Sequence, residues 1–201
     1  MKFTSRLIVL SGLVLVFDMD AGAEDRVAKA PQYRFRNRSI PGATADEPIR
    51  KAFSSEAARS YLDLGVTLWS SQRKCVSCHT HGIHMITRPA LSVSWGKPVD
   101  DLRTFVVGQS KELIDSGDDT GSAPAKMAYI ARGLAEWDAQ FHESTSAETD
   151  AALRHLLTLQ SDDGSIGVQY RWPPLNSDSY HATIMAARAI VTGTKITQRV
   201  V

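Results

Sequence analysis

The residues best suited to chemistry in this chain lie together in one short segment. Residues 75–79 read Cys-Val-Ser-Cys-His, and Cys75 and Cys78 are the two cysteines of the 201-residue sequence. The pattern C-x-x-C-H is the attachment signature of a c-type haem, in which the thiols hold the porphyrin and the adjacent histidine binds the iron. The sequence therefore predicts one covalent haem c, with thioether bonds at Cys75 and Cys78 and with His79 as the proximal iron ligand.

Two other kinds of site use the same cysteine spacing. A redox dithiol of the thioredoxin type normally lies in a βαβ unit, which the helical periodicity of this chain does not indicate. A zinc site could use Cys75, Cys78 and two of the histidines His79, His81 and His84. Four zinc ligands within ten residues would be crowded. We therefore favour haem and keep zinc and the dithiol as alternatives.

The sequence does not determine the sixth ligand of the iron. His84 and Met85 have suitable side chains, but they follow His79 closely and would have to cross the porphyrin edge to reach its distal face. Four residues of suitable type are sterically freer candidates: Met127, His142, His181 and Met185. A methionine ligand would raise the reduction potential, whereas an open position would admit small molecules.

The N-terminus has the three parts of a secretory signal. Lys2 and Arg6 precede an apolar run over residues 7–17, and Ala21-Gly22-Ala23 matches the small-residue cleavage pattern. The run is too short for a membrane-spanning helix, which needs about 20 apolar residues. We expect residues 1–23 to be a signal peptide and the mature chain to be periplasmic or secreted, without an integral membrane span.

Composition indicates a globular protein and argues against nucleic acid as a partner. Hydrophobic residues make up 43% of the chain, charged residues 22%, and the formal net charge is +1. Five cations do cluster early in the mature chain: Arg34, Arg36, Arg38, Arg50 and Lys51. No aromatic stacking platform accompanies them, so we interpret residues 24–53 as an extended, solvated basic arm.

From residue 54 onward, apolar residues recur at helical spacing and alternating strand patterns are almost absent. We therefore expect an all-α domain over residues 54–192 and a C-terminal tail over residues 193–201. The predicted helices run from Ser54 or Ser55 to Gln72, from Asp100 to Ile114, from about Pro124, from a Thr145-x-x-Glu148 capping box, and from Asp178 to Val191.

Two stretches of the sequence resemble a known family. The first is residues 73–80 (RKCVSCHT) with Arg88-Pro89-Ala90-Leu91 downstream. The second comprises LLTLQSDDGS at 156–165 and RWPPLNSDSYHATIMAARAI at 171–190. Together they resemble bacterial squalene cyclase-like proteins, which combine an α/α-toroid of the terpenoid-cyclase type with a c-type haem motif. Gln160-x-x-x-Gly164 is similar to the glutamine–tryptophan repeat of that superfamily.

The resemblance implies a toroid fold but not cyclase activity. Ile166 stands where the repeat has an aromatic residue, and Asp118-Asp119 lacks the D-x-D-D spacing of the cyclase acid. A closed toroid would need about twice the five or six helices predicted here. The expectation is a partial α/α-toroid, an arc that could bind an apolar ligand or pair with a second toroid half.

These observations lead to one expected function and two alternatives. We expect an exported haem protein that transfers single electrons to or from a redox partner protein, and we assign no catalytic residue. The first alternative is a terpenoid- or lipid-binding toroid without cyclase activity. The second is a zinc or dithiol module.

Overall fold

The computed structural model describes residues 33–42, 44–49, 51–76, 78–167 and 179–198. The predicted signal peptide and Trp172-Pro173-Pro174 lie outside these residues. Helices dominate the described chain, which confirms the all-α class. Within the described residues, no helix combines the length and apolar character needed to cross a membrane.

The described chain contains a short β-hairpin, seven α-helices and one π-helical segment. Strands β1 and β2 span Tyr33–Phe35 and Arg38–Ile40 and pair antiparallel. A π-helical segment covers Cys78–Gly82. The helices are α1 Ser55–Arg73, α2 Ile83–Thr87, α3 Ser92–Trp95, α4 Asp100–Ser116, α5 Ala123–Phe141, α6 Ala147–Thr158 and α7 Ser179–Gln198.

Helix α5 is the centre of the molecule, and helices α2, α4, α6 and α7 pack around it. Its apolar residues at helical spacing are all buried; they are Met127, Ile130, Ala131, Leu134 and Trp137. Pro124 lies in the first turn, where a missing backbone N–H costs no helical hydrogen bond. This helix is apolar around most of its circumference because neighbours cover it on several sides.

Helix α1 begins where the sequence predicts and is less buried. The Ser54 hydroxyl accepts a hydrogen bond from the backbone N–H of Ala57 at 3.2 Å and caps the helix. Val66 and Leu68 are its buried side chains, whereas Tyr61, which helical spacing places on the same face as Leu68, is 56% exposed. Burial is therefore confined to the C-terminal half of α1, next to the cysteine motif.

The predicted arm contains a hairpin that the sequence analysis did not expect. Strands β1 and β2 lie along α1, with Ile40 buried close to Gly65 and the Gln72 side-chain amide donating to the backbone carbonyl of Arg34. The turn is made by Arg36 in the left-handed region, at φ 54°. Strands of three residues are too short to show an alternating pattern in the sequence.

The predicted start of α6 is wrong by one residue. Ser146, not Thr145, is the cap, and its hydroxyl accepts from the backbone N–H of Thr149 at 3.3 Å. The buried carboxylate of Asp138 favours Ser146 as the cap. One carboxylate oxygen of Asp138 accepts hydrogen bonds from both the backbone N–H and the hydroxyl of Ser146, each at 2.7 Å. Thr145 instead donates to the backbone carbonyl of Gly193 at 3.3 Å.

The predicted end of the last helix is also wrong. Helix α7 continues through Gly193 to Gln198, whereas the sequence analysis ended it at Val191. A Cβ atom at Gly193 would lie 2.7 Å from Cδ1 of Leu153. The glycine therefore permits close packing of α7 on α6 and does not terminate the helix.

Candidate functional site

The cysteine motif begins at the point where α1 ends. Lys74 adopts a left-handed conformation at φ 51°, and its backbone N–H donates to the carbonyl of Ser70 at 3.1 Å. Cys75 follows as a half-buried free thiol. Cys78 and His79 open the π-helical segment, so a short turn separates the two cysteines. Ser77 and the side chains of Cys78 and His79 lie outside the described residues.

Val76 fixes the turn to the core. Its side chain is 3% exposed and belongs to the main hydrophobic cluster. Its backbone N–H donates to Oε1 of Gln109 on α4 at 3.3 Å. One residue inside the motif is therefore buried and hydrogen-bonded, while the neighbouring thiol of Cys75 stays partly accessible.

Two glycines let the segment after the motif approach α5 closely. A Cβ atom at Gly82 would lie 2.7 Å from Cδ1 of Tyr129, and one at Gly133 would lie 2.6 Å from Cβ of Met85. Real Cβ atoms do not approach so closely without displacing a neighbour. The pair of glycines therefore sets the distance between α5 and the chain that follows Cys78.

His81 is a buried structural histidine. It is fully buried, with its Nε2 2.5 Å from the Ser70 hydroxyl and its Nδ1 3.2 Å from the Thr80 hydroxyl. Burial, with a smaller contribution from the nearby His84, lowers the pKa of His81 to about 4. The ring is therefore neutral at pH 7, and both of its nitrogens already have partners.

Asp63, His84 and Arg88 form a second buried polar cluster, which ties α1 to α2. The Asp63 carboxylate contacts Nε2 of His84 at 3.2 Å and Nε of Arg88 at 3.0 Å. Arg88 is 2% exposed and also donates to the backbone carbonyl of Gly96 at 2.9 Å. Burial lowers the pKa of His84, with Asp63 opposing the shift.

The predicted sixth-ligand candidates occupy very different places. Met85 and Met127 are buried in the core, and Met185 packs against it. His142 lies at the far end of α5 with Nδ1 2.9 Å from the Asp138 carboxylate. Nε2 of His181 is 2.8 Å from the Tyr129 hydroxyl, and Tyr129 packs on Gly82.

Through Tyr129, His181 is connected to Gly82 in the segment beginning at Cys78. The residues predicted as freer ligands are thus mostly engaged in packing or ion pairing.

The glutamine segment that resembles the superfamily repeat forms a closed turn. The Gln160 side-chain amide donates to the carbonyl of Gly164 at 2.8 Å, and Gln160 and Ile166 form an isolated β-bridge. Ile166 is 3% exposed, and its backbone N–H donates to the Thr183 hydroxyl on α7 at 2.9 Å. An aliphatic side chain therefore fills the core where the repeat has an aromatic residue.

The donor chemistry around the motif fits haem better than zinc. A zinc site would need two nearby imidazoles, and those of His81 and His84 are hydrogen-bonded to Ser70 and Asp63. Covalent haem would need only Cys75, Cys78 and His79 and would leave the hydrogen bonds of His81 and His84 in place. Among side chains that the structure describes, which exclude Cys78 and His79, no group of three metal-binding residues occurs.

The sequence analysis missed the residues that hold the motif in place. Gln109, Gly82, Gly133 and the Asp63–Arg88 pair are ordinary residues on helices, and no local pattern distinguishes them. Their roles arise from contacts between segments far apart in the chain. The absence of Asp and Glu between Leu64 and Val99 is a sequence signal that could have located the surroundings of the motif.

Three cavities lie between helices of the described chain. Two are in the groove between α6 and α7, at about 160 and 220 Å³, and one is between α4 and α6 at about 310 Å³. Ligand pockets for drug-sized molecules usually measure roughly 300–1,000 Å³, so two of the three are below this range and the third is at its lower end. The chain matches no protein-family model, no curated protein and no solved structure.

Proposed function

We propose that this chain is an exported c-type haem protein that carries single electrons. The observation that carries the proposal is the segment Cys75-Val76-Ser77-Cys78-His79, which leaves the end of α1 and enters a helical segment at Cys78. Its two cysteines are the two of the whole chain, and a histidine follows directly. A structural disulfide would close too short a loop to stabilise the fold.

Each of the three motif side chains has a defined task. The thiols of Cys75 and Cys78 would hold the porphyrin through thioether bonds, and the imidazole of His79 would bind the iron. The bound haem would supply one-electron chemistry between ferric and ferrous iron. The chain supplies a fixed attachment turn, because Val76 is buried and its N–H is held by Gln109.

The neighbouring histidines support the haem proposal because their side chains already have other partners. His81 is neutral and hydrogen-bonded through both ring nitrogens, so it does not compete with His79 for iron. His84 is paired with Asp63. A zinc site built on these two histidines would require their contacts to break, which is costly for buried polar groups.

The remaining features of the proposal rest on the sequence. Export follows from the signal-like residues 1–23, and export would bring the motif to the compartment where haem c is assembled. The helices α5, α6 and α7 with the Gln160 turn are consistent with an arc of an α/α-toroid. A redox partner protein would exchange the electron.

The decisive experiment is expression with export in a host that matures cytochromes c. We expect a Soret band that persists in denatured protein, and a haem-bearing tryptic peptide that contains residues 75–79. The thioether bond is covalent, so unfolding does not release the cofactor. Colourless, iron-free protein from such a host would refute the proposal, and stoichiometric zinc would favour the alternative.

Three variants test the assignment of the individual residues. Cys75→Ser and Cys78→Ser should each leave a single thioether and shift the absorption of the reduced pyridine complex. His79→Ala should retain the porphyrin but change the spin state of the iron. His155→Gln, on α6, serves as the matched control and should leave all these spectra unchanged.

A further inference from the structure

We propose that the hairpin and the end of α1 form a docking surface for an acidic redox partner protein. The surface, which we call the basic collar, consists of Arg34, Arg36, Arg38, Arg73 and Lys74. All five residues are exposed. This inference rests on the proposed function, because the collar lies at the end of α1 that leads into the turn that would carry the haem.

The contacts between hairpin and helix bring the five cations together. Ile40, at one end of the hairpin, lies near Gly65, and Arg34 contacts Gln72 two helical turns further along α1. The hairpin therefore runs toward the C-terminus of α1, and its turn at Arg36 points along the same direction. Gln72 precedes Cys75 by three residues. Arg34, distant in sequence, thus lies beside the last turn of α1, which leads into Cys75.

The collar is strongly basic in a chain that is almost neutral. Residues 33–42 contain no Asp or Glu, nor do residues 64–99. Since the full chain carries a formal charge of +1, the remainder is net negative and the molecule has a charge asymmetry. Across the turn on α4, the acidic Glu112 accepts a hydrogen bond from Gln109, which itself accepts from the backbone N–H of Val76.

A charged surface of this kind selects its partner and its orientation. Complementary charge raises association rates by about 10- to 1,000-fold, and the effect falls steeply with salt. A partner must bring its own redox group close to the haem, so a surface next to the attachment turn is well placed. The chemistry that fits five cations is a surface rich in Asp and Glu.

The test compares two triple variants with the same change in charge. Arg34, Arg36 and Arg38 are replaced by Gln in one, and Arg154, Arg188 and Lys195 by Gln in the other. The control residues are exposed cations on α6 and α7. Arg73 and Lys74 stay unchanged because they form the end of α1.

The first readout is the reduction of the ferric haem by small reagents of opposite charge at low ionic strength. The hairpin variant should be reduced about tenfold more slowly by the iron(II)–EDTA dianion, and faster by the hexaammineruthenium(II) cation. The control variant should change less with either reagent. Equal changes in both variants would overturn the inference, since net charge alone would then explain them.

The second readout is binding of poly-L-glutamate by calorimetry, which does not need haem. Binding that weakens in the hairpin variant but not in the control supports the collar even in protein that proves colourless. Failure of the haem proposal is seen separately, as a missing Soret band. Binding to phosphatidylglycerol vesicles with none to poly-L-glutamate would overturn the assignment to a protein partner. So would a changed haem spectrum in the hairpin variant, because it would show that the arginines contact the haem itself.

Discussion

At the scale of single residues, two glycines control how closely the motif segment approaches α5. Gly82 faces the ring of Tyr129, and Gly133 faces the Cβ atom of Met85. Both contacts lie between elements that are buried, so neither side can move aside into solvent. Side-chain size at these positions is therefore linked to the placement of the residues after Cys78.

Gly133→Ala should destabilise the protein by about 1–3 kcal/mol, because its Cβ atom would overlap that of Met85. Urea unfolding followed by circular dichroism measures the loss. The control is Gly108→Ala on α4, where a Cβ atom meets nothing within 4 Å. That exposed helical position should gain about 0.5–1 kcal/mol from the better helix propensity of alanine. A destabilised Gly108→Ala with an unaffected Gly133→Ala would contradict the packing.

The Asp63–Arg88 pair gives a second residue-scale prediction. Asp63→Asn should cost about 2–3 kcal/mol, because it leaves the Arg88 guanidinium, 2% exposed, without its carboxylate. The value is below that of a fully buried pair because Asp63 is one-third exposed. Asp150→Asn, which removes the exposed pair with Arg154, should change the free energy of unfolding little. Equal effects of the two substitutions in thermal melts would show that the Asp63–Arg88 pair stabilises the protein no more than an exposed pair does.

At the scale of elements, the connection between α5 and α6 is built around one buried carboxylate. Asp138 is fully buried and accepts from Ser146 twice, while His142 and Arg103 approach its other oxygen at 2.9 and 3.6 Å. The Arg103 guanidinium also donates to the Ser146 hydroxyl at 2.8 Å. The cap of α6 is thus part of a network that joins three helices.

Ser146→Ala should therefore cost more than an ordinary helix cap. Loss of a cap costs about 1 kcal/mol, and the buried Asp138 loses a hydrogen bond as well, so we expect about 2 kcal/mol. Thr145→Ala removes the bond from its hydroxyl to the carbonyl of Gly193 and leaves the Ser146 cap intact, so it should cost less. Chemical denaturation of both variants decides between the two caps. A larger effect at Thr145 would restore the capping box predicted from the sequence.

The helices were largely predictable because their signals are local. The 3.6-residue period of Met127, Ile130, Leu134 and Trp137 and the Ser54 cap need only neighbouring residues. What failed depends on distant contacts. The hydrogen bond to Asp138 makes Ser146 the cap of α6. Close packing against Leu153 accounts for the glycine at position 193 inside α7. The hairpin packs on α1, and its strands are too short to show a sequence pattern.

At the scale of the whole molecule, the candidate site divides into a predictable and an unpredictable part. The residues proposed to attach haem lie within five positions of the sequence, so their chemistry could be proposed without coordinates. Their surroundings come from four separate segments: the hairpin, α1, α4 and α5. No single-sequence pattern records which distant segments meet, so the collar and the glycine contacts became visible only in the fold.

Export gives a prediction for the whole chain. With the signal removed after Ala23, we expect the mature protein to begin at Glu24 and to carry haem. A version that starts with Met followed by residues 24–201 should stay in the cytoplasm and lack covalent haem. The intact mass of both proteins measures the outcome. The His155→Gln variant of the exported form serves as a control for expression. Haem on the cytoplasmic version would contradict the link to export.

Lys74 has a consequence for how the motif meets its cofactor. A left-handed lysine costs roughly 1–2 kcal/mol relative to the usual helical region, a cost glycine would avoid. Glycine at this position, however, would allow a wider range of backbone conformations, whereas lysine restricts that range. The backbone that leads from α1 into Cys75 therefore has few conformations open to it, which would reduce the entropy lost on attaching the proposed haem.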